Sequence, residues 1–327
     1  MVRRIGIAVL ALVGLGVAVL VGGSLLSLDW GRAHRARTQA LPLLDGSTAP
    51  GLVRIQANGL EFRARVAGLD SGGPGLVLLH GYPATSAMWE PLLAPAAAAG
   101  YRVIAFDQRG YSPGARPAGV EAYRIDRMVE DVVAVADAAG FRDFHLVGHD
   151  WGCVVGWIVA VRHPERVRSF AGLSIPHPGP MIQQLQGGLP TYIRVFNTPW
   201  VPELIFSFGG FALLRGGLPE DEAWRDETVA VLAEPGALSA TLNWYRAIPS
   251  SLAGFAGESF EVRPPTLFVW GTREGWVNPE RLERQRALVR GPYHELEVDA
   301  GHWVVEEQTE AVVERILGHL QAVDAGS

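Results

Sequence analysis

The sequence predicts an α/β chain: a mostly parallel sheet flanked by helices, with a helical lid inserted late in the sheet. Three observations lead there. Short apolar strand patterns alternate with helical ones between residues 75 and 173, the rhythm of right-handed crossover connections. A stretch from 177 to 257 then holds Pro, Gly and aromatic residues with helical periodicity but no convincing strand, and the alternation resumes after it. Within the first block, Val147-Gly148-His149-Asp150-Trp151-Gly152 places a G-x-D-x-G turn between an apolar strand and a helix.

Taken in order, the chain opens on 24 uncharged residues from Ile5 to Leu28. As a helix they would be about 36 Å long, against a hydrocarbon core of about 30 Å. Residues 1–28 are therefore expected to be a single transmembrane anchor. A signal-peptide core is usually shorter, and no A-x-A-like site follows Leu28; a cleaved export signal is the alternative. Arg3 and Arg4 precede the span while Arg32, Arg35 and Arg37 follow it, so the positive-inside rule fixes no orientation. Residues 29–51, with Pro42, Gly46, Pro50 and several Arg, read as a polar linker.

The first part of the core, 52–176, starts with strands Leu52 to Gln56 and Glu61 to Val66 around the turn Asn58-Gly59. A buried-type strand Gly75 to Leu79 follows. Next come a helix from Ser86 to Ala99, strand Arg102 to Phe106, a helix from Ile125 to Ala139 and strand Phe144 to Val147. A helix from Cys153 and strand Ser169 to Leu173 complete this part. Residues 177–257 are the lid. The second part of the core, 258–323, carries the alternating segments Thr266 to Trp270, Glu280 to Val289 and His294 to Val298.

Composition removes several function classes. The formal charge of −6 comes without a clustered basic stripe, which argues against a nucleic-acid partner. All 28 basic residues are Arg, so no Walker A lysine, pyridoxal Schiff base or other catalytic lysine is possible. A single cysteine, Cys153, excludes an internal disulfide and a cysteine zinc cluster. The nine His include no H-E-x-x-H, and no G-x-G-x-x-G follows a strand, so neither a metal nor another cofactor is expected.

Glycines flanking Asp150 permit a strained turn that lifts its side chain above the strand ends, where open α/β sheets bind substrates. Here residues 52 to 322 resemble the α/β-hydrolase superfamily, and within it the epoxide hydrolases. His80-Gly81-Tyr82-Pro83 is similar to the HGxP motif of that family; the resemblance implies an oxyanion hole made by the backbone N–H groups of Tyr82 and Trp151. Asp107-Gln108-Arg109-Gly110-Tyr111-Ser112 resembles the D-x-R-G-x-S segment, a marker of the fold. Asp299-Ala300-Gly301-His302-Trp303 looks like the late histidine loop, which implies that His302 is the base. In Gly271-Thr272-Arg273-Glu274-Gly275-Trp276, Glu274 stands where relatives generally carry Asp to orient the histidine; Glu fills such a role with a longer reach. In the lid, Leu242-Asn243-Trp244-Tyr245-Arg246 is similar to an N-W-Y-R segment. The run from Tyr192 to Pro199, followed by Glu203, resembles a Y-x-x-x-F-x-x-P-x-x-x-E pattern. Those two resemblances imply that Tyr245 and Tyr192 are ring-opening donors.

The chemistry agrees with an Asp nucleophile. A carboxylate with an ordinary pKa of about 3.9 is ionised at neutral pH without help from a base. Attack on an acyl carbon would give an anhydride, whereas attack on a saturated carbon with a leaving group gives an ester that water can cleave. The expected substrates are small hydrophobic electrophiles, epoxides first, with water as co-substrate. Haloalkane dehalogenases share the H-D-W-G segment and are the alternative, but many place Asn where this chain has Tyr82. A non-catalytic binding protein on the same fold is the remaining one.

Overall fold

The computed structural model describes residues 28–46, 48–180 and 189–326. The expected transmembrane span lies almost wholly outside them. Among the described residues no helix is long and apolar enough to cross a membrane.

Among the described residues eight strands form one sheet in the order β1-β2-β4-β3-β5-β6-β7-β8. β1 (Gly51–Ala57) and β2 (Leu60–Ala67) are an antiparallel hairpin in which Ala57 pairs with Leu60. Asn58 and Gly59 both have positive φ, 50° and 70°, as a two-residue turn between twisted strands requires. The strands β3 (Gly75–Leu79), β4 (Arg102–Phe106), β5 (Phe144–His149), β6 (Val167–Leu173), β7 (Thr266–Gly271) and β8 (Tyr293–Val298) all run parallel. β3 and β5 are buried on both faces, which explains their unbroken apolar reading.

Helices α2 (Glu90–Ala98), α3 (Ile125–Ala138), α4 (Trp151–Arg162) and, after the lid, α10 (Pro279–Leu288), α11 (Val304–Glu307) and α12 (Thr309–Ala325) flank the sheet. Between β6 and β7 the chain leaves the sheet to form lid helices α5 (Thr191–Phe196), α6 (Val201–Gly216), α7 (Glu222–Leu232), α8 (Ala237–Arg246) and α9 (Ile248–Gly254). The sheet order changes direction at β3, whose neighbours are β4 on one side and β5 on the other, so a crevice opens beyond its carboxyl end.

The segment 29–51, expected to be a linker, is instead helical over 28–39 (α1) and docks on the lid. Gly31, His34 and Thr38 share its buried face. A side chain at Gly31 would run into the backbone at Ala233 and Glu234. His34 Nδ1 lies 2.6 Å from Glu234 Oε1, and Arg63 donates to its Nε2 at 2.8 Å. Since Arg only donates, the hydrogen of His34 sits on Nδ1 and points at Glu234. This face is polar, so a hydropathy pattern does not reveal it.

Arg63 continues the network to Asp107 at 2.6 Å and to Glu227 of the lid, which Arg65 also grips at 2.5 Å. One set of buried and half-buried polar groups thus joins the N-terminal helix, the sheet and the lid. We expect His34→Ala to cost about 1 to 3 kcal/mol in urea unfolding, because Glu234 and Arg63 each lose a buried partner. A protein beginning at Gly51 should lose more. An unchanged unfolding midpoint in both would mean that α1 contributes nothing to the fold.

Candidate active site

The strand ends bring the predicted residues together. Asp150 follows β5 directly and has φ 52° and ψ −119°, an unusual conformation for a residue other than glycine. The flanking glycines allow it: a Cβ at Gly148 would meet the backbone of Gly152, and one at Gly152 would meet the carbonyl of Leu79 on β3. The sharp turn keeps the carboxylate above the sheet, with its Oδ1 accepting the Tyr82 N–H at 2.7 Å. The Trp151 amide, at the start of α4, adds to the stabilisation of its charge. Both expected oxyanion donors therefore face Asp150 itself.

His302 comes from the loop after β8, with Nε2 3.5 Å from Asp150 Oδ2. Its Nδ1 lies 2.6 Å from Oε2 of Glu274. Glu274, three residues beyond β7, is held in turn by the Trp276 N–H at 3.0 Å on Oε1. The longer side chain thus reaches the imidazole from this loop position.

Burial opposes a charge on His302, but hydrogen bonds and charges from Asp150 and Glu274 outweigh it and push its pKa up to about 10. Burial likewise favours a neutral Asp150; His302 reverses the sign and holds its pKa below the ordinary value. The site thus favours a protonated imidazole between Asp150 and Glu274 in the free protein. Because much of the upward shift comes from the charge on Asp150, Asp150→Asn should lower the pKa of His302, as measured by NMR titration of the imidazole. An unshifted titration would contradict this coupling.

Tyr192 and Tyr245 come from separate lid helices, α5 and α8, and their rings lie 6.3 Å apart at 81°. Both line a cavity shared with Asp150 and Trp151. Its remaining wall is apolar, with Val154, Ile175, Ile248, Leu252 and Phe255 among its residues. Burial, reinforced by the Asp150 charge, raises the pKa of both phenols, so both are neutral at physiological pH. Tyr245 is buried beneath the lid and packs on Trp151 at 5.1 Å, whereas Tyr192 is 41% exposed at the rim.

Two polar groups at the site are absent from the set read out of the sequence. His149 packs against the His302 ring with centroids 4.9 Å apart and planes tilted by 55°, and its Nε2 lies 2.8 Å from the His302 carbonyl. Burial and the nearby His302 charge bring its pKa down to about 4, so it is a neutral donor. Ser174, just past β6 with φ 67°, donates its hydroxyl to the same carbonyl at 2.8 Å. His149 lies inside the H-D-W-G segment; the position of Ser174 at a strand end is its only sequence signal. The segment expected to mark the fold supports the HGxP turn: the Gln108 N–H donates to His80 Nε2 at 2.9 Å.

A mostly parallel sheet with an elbow residue after β5, an acid after β7 and a histidine after β8, under an inserted lid, defines an α/β hydrolase. The alpha/beta hydrolase fold family matches residues 74–309, and the chain belongs to it. More narrowly, it is an epoxide hydrolase-like enzyme of that family. It is 32% identical over 321 residues to epoxide hydrolase A of Mycobacterium tuberculosis, covering 84% of this chain and 99% of the relative. It is 31% identical over 279 residues to human epoxide hydrolase 4, covering 80% and 75% respectively. The crystal structure of epoxide hydrolase A from Mycobacterium thermoresistibile superposes with a TM-score of 0.71 at 28% identity, over 84% of this chain and 98% of that one.

Proposed function

We propose that the protein opens epoxides to vicinal diols through an aspartyl ester. The observation that carries this reading is an ionised aspartate at the elbow, with one oxygen held by the Tyr82 amide, sharing an apolar cavity with two neutral phenols. Asp150 Oδ2 attacks a ring carbon and the C–O bond of the epoxide breaks. Tyr192 and Tyr245 donate to the departing oxygen. The proton it keeps is made good from the His302 imidazolium, which loses its raised pKa as esterification removes the charge on Asp150. Neutral His302, oriented by Glu274, then takes a proton from water, and that water attacks Cγ of Asp150. Oδ1, against the Tyr82 and Trp151 amides, carries the transient negative charge. Collapse breaks the bond from Cγ to the substrate oxygen, which takes the proton of the newly added hydroxyl and leaves as the diol, so that ionised Asp150 again faces protonated His302. No cofactor takes part in these steps.

The test is an assay of purified protein on a panel of epoxides with detection of diol, alongside bromoalkanes and chloroalkanes with detection of halide. Diol without halide is expected. Halide release without diol would overturn the reading in favour of dehalogenation.

We also infer that residues 5–28 anchor the protein in a membrane, on the strength of their 24 uncharged residues. Full-length protein should stay with membranes through an alkaline carbonate wash. A mature N-terminus mapped near residue 30 would show a cleaved signal instead.

A further inference from the structure

Helix α6 presents its apolar side to solvent. Trp200, Leu204 and Phe208 are 83%, 68% and 54% exposed, and Val201 and Ile205 beside them are each 41% exposed. Within the helix Val201, Leu204, Ile205 and Phe208 recur at spacings of three and four and so share one face, and Trp200, the N-cap with φ 63°, adjoins its start. Its other side makes the polar contacts with the lid: Glu203 accepts from Ser239 at 2.9 Å and pairs with Arg246, also at 2.9 Å. Beyond a break at Phe208–Phe211, Leu213 extends the apolar surface at 62% exposure. A contiguous apolar face of this kind is uncommon on a soluble monomer.

The face adjoins the cavity. Phe206 of α6 packs against Phe196 of α5 at 5.5 Å, and Phe196 packs against the rim residue Tyr192 at 5.6 Å.

We propose that the α6 face lies in the surface of a phospholipid bilayer, so that apolar substrates dissolved in the lipid reach the cavity beside Tyr192. Where the chain leaves the folded body favours this occupant. The uncharged run 5–28 passes directly into α1, and α1 is tied to the lid through Gly31 against Ala233 and His34 against Glu234. The lid helix α7, just before those residues, is bound to α6 by the Arg215–Asp226 ion pair at 2.6 Å. The described residues that directly follow this run therefore lie against the lid, the part of the molecule that carries the apolar face. A mix of Trp, Phe and Leu suits an in-plane helix at the boundary between headgroups and acyl chains.

The proposal rests on the membrane-anchor reading and is independent of the reaction. Its test needs no turnover. The sole cysteine, Cys153, is buried, so a cysteine placed at the surface takes up a nitroxide selectively. Full-length Leu204→Cys would be labelled and reconstituted in phosphatidylcholine vesicles, with Arg142→Cys, exposed in the loop before β5 at the opposite end of the sheet, as reference. The label at 204 should collide with oxygen in preference to a water-soluble nickel complex, with an accessibility ratio severalfold above that at 142. Equal ratios at the two positions, or protein that does not associate with the vesicles, would overturn the proposal. Spin–spin broadening confined to 204 would do so too, since it would put a second copy of the chain on the face. Diol formation from a water-soluble epoxide, measured separately, tests the chemistry.

Discussion

His302→Gln protein mixed with an epoxide should gain the mass of one substrate on Asp150 and keep it. Glutamine cannot take the proton from the attacking water, while the alkylating carboxylate and the Tyr82 amide on Oδ1 are untouched. General-base catalysis contributes typically 10² to 10⁴-fold, so ester hydrolysis should slow by about that factor and become far slower than ester formation. Intact-protein mass measurement followed by peptide mapping checks both the adduct and its position. Asp150→Asn should take up no mass and form no diol, because a neutral amide does not displace the ring carbon. Glu274→Gln should accumulate the ester more weakly, since the imidazole remains but loses the 2.6 Å carboxylate that orients it. Normal turnover by Glu274→Gln at neutral pH would mean that another acid serves His302.

The second large effect is expected at the lid tyrosines. Opening an epoxide puts negative charge on oxygen, and phenols held neutral by burial are able to donate to it throughout the physiological range. Removing one donor should cost about 3 kcal/mol, or about a hundredfold, by comparison with other oxyanion donors. Tyr192→Phe and Tyr245→Phe should each slow ester formation on that order and leave ester hydrolysis unchanged. The double variant should be nearly inert towards epoxides. Its loss should depart from the product of the two single losses, because both groups act on one atom. Rapid-mixing tryptophan fluorescence can follow the step, since Trp151 adjoins Asp150 and packs on Tyr245. Wild-type alkylation rates in both single variants would reduce these tyrosines to lid packing.

Much of this architecture is legible from local chemistry. Asn58-Gly59 announces the first hairpin because its backbone needs positive φ at both residues. The runs Gly75 to Leu79 and Arg102 to Phe106 coincide with the observed strands, since continuous apolar segments bounded by turns have few other ways to fold. Asp150 stands out because glycines flank it where two strands and a helix converge. What stays hidden depends on partners distant in sequence. The buried face of α1 is polar and becomes meaningful only beside Glu234 and Arg63. Ser174 has no motif around it, and its role in holding the His302 carbonyl follows from where β6 ends. On α6 the apolar periodicity is plain, but periodicity locates a face without saying what covers it. The helix Thr309–Ala325 carries its buried residues Val312, Ile316, His319 and Leu320 among enough polar ones that it is not among the elements read from sequence.

Whether Asp150 gives one of its own oxygens to the product is read from a single turnover in heavy-oxygen water with enzyme in excess over epoxide. Diol from the first turnover is expected to be mostly unlabelled, Asp150 itself to acquire the label, and label to appear in diol only on later turnovers by the same molecules. Full labelling of the first-turnover diol, with none on Asp150, would mean that water attacks the epoxide directly and would contradict the ester mechanism.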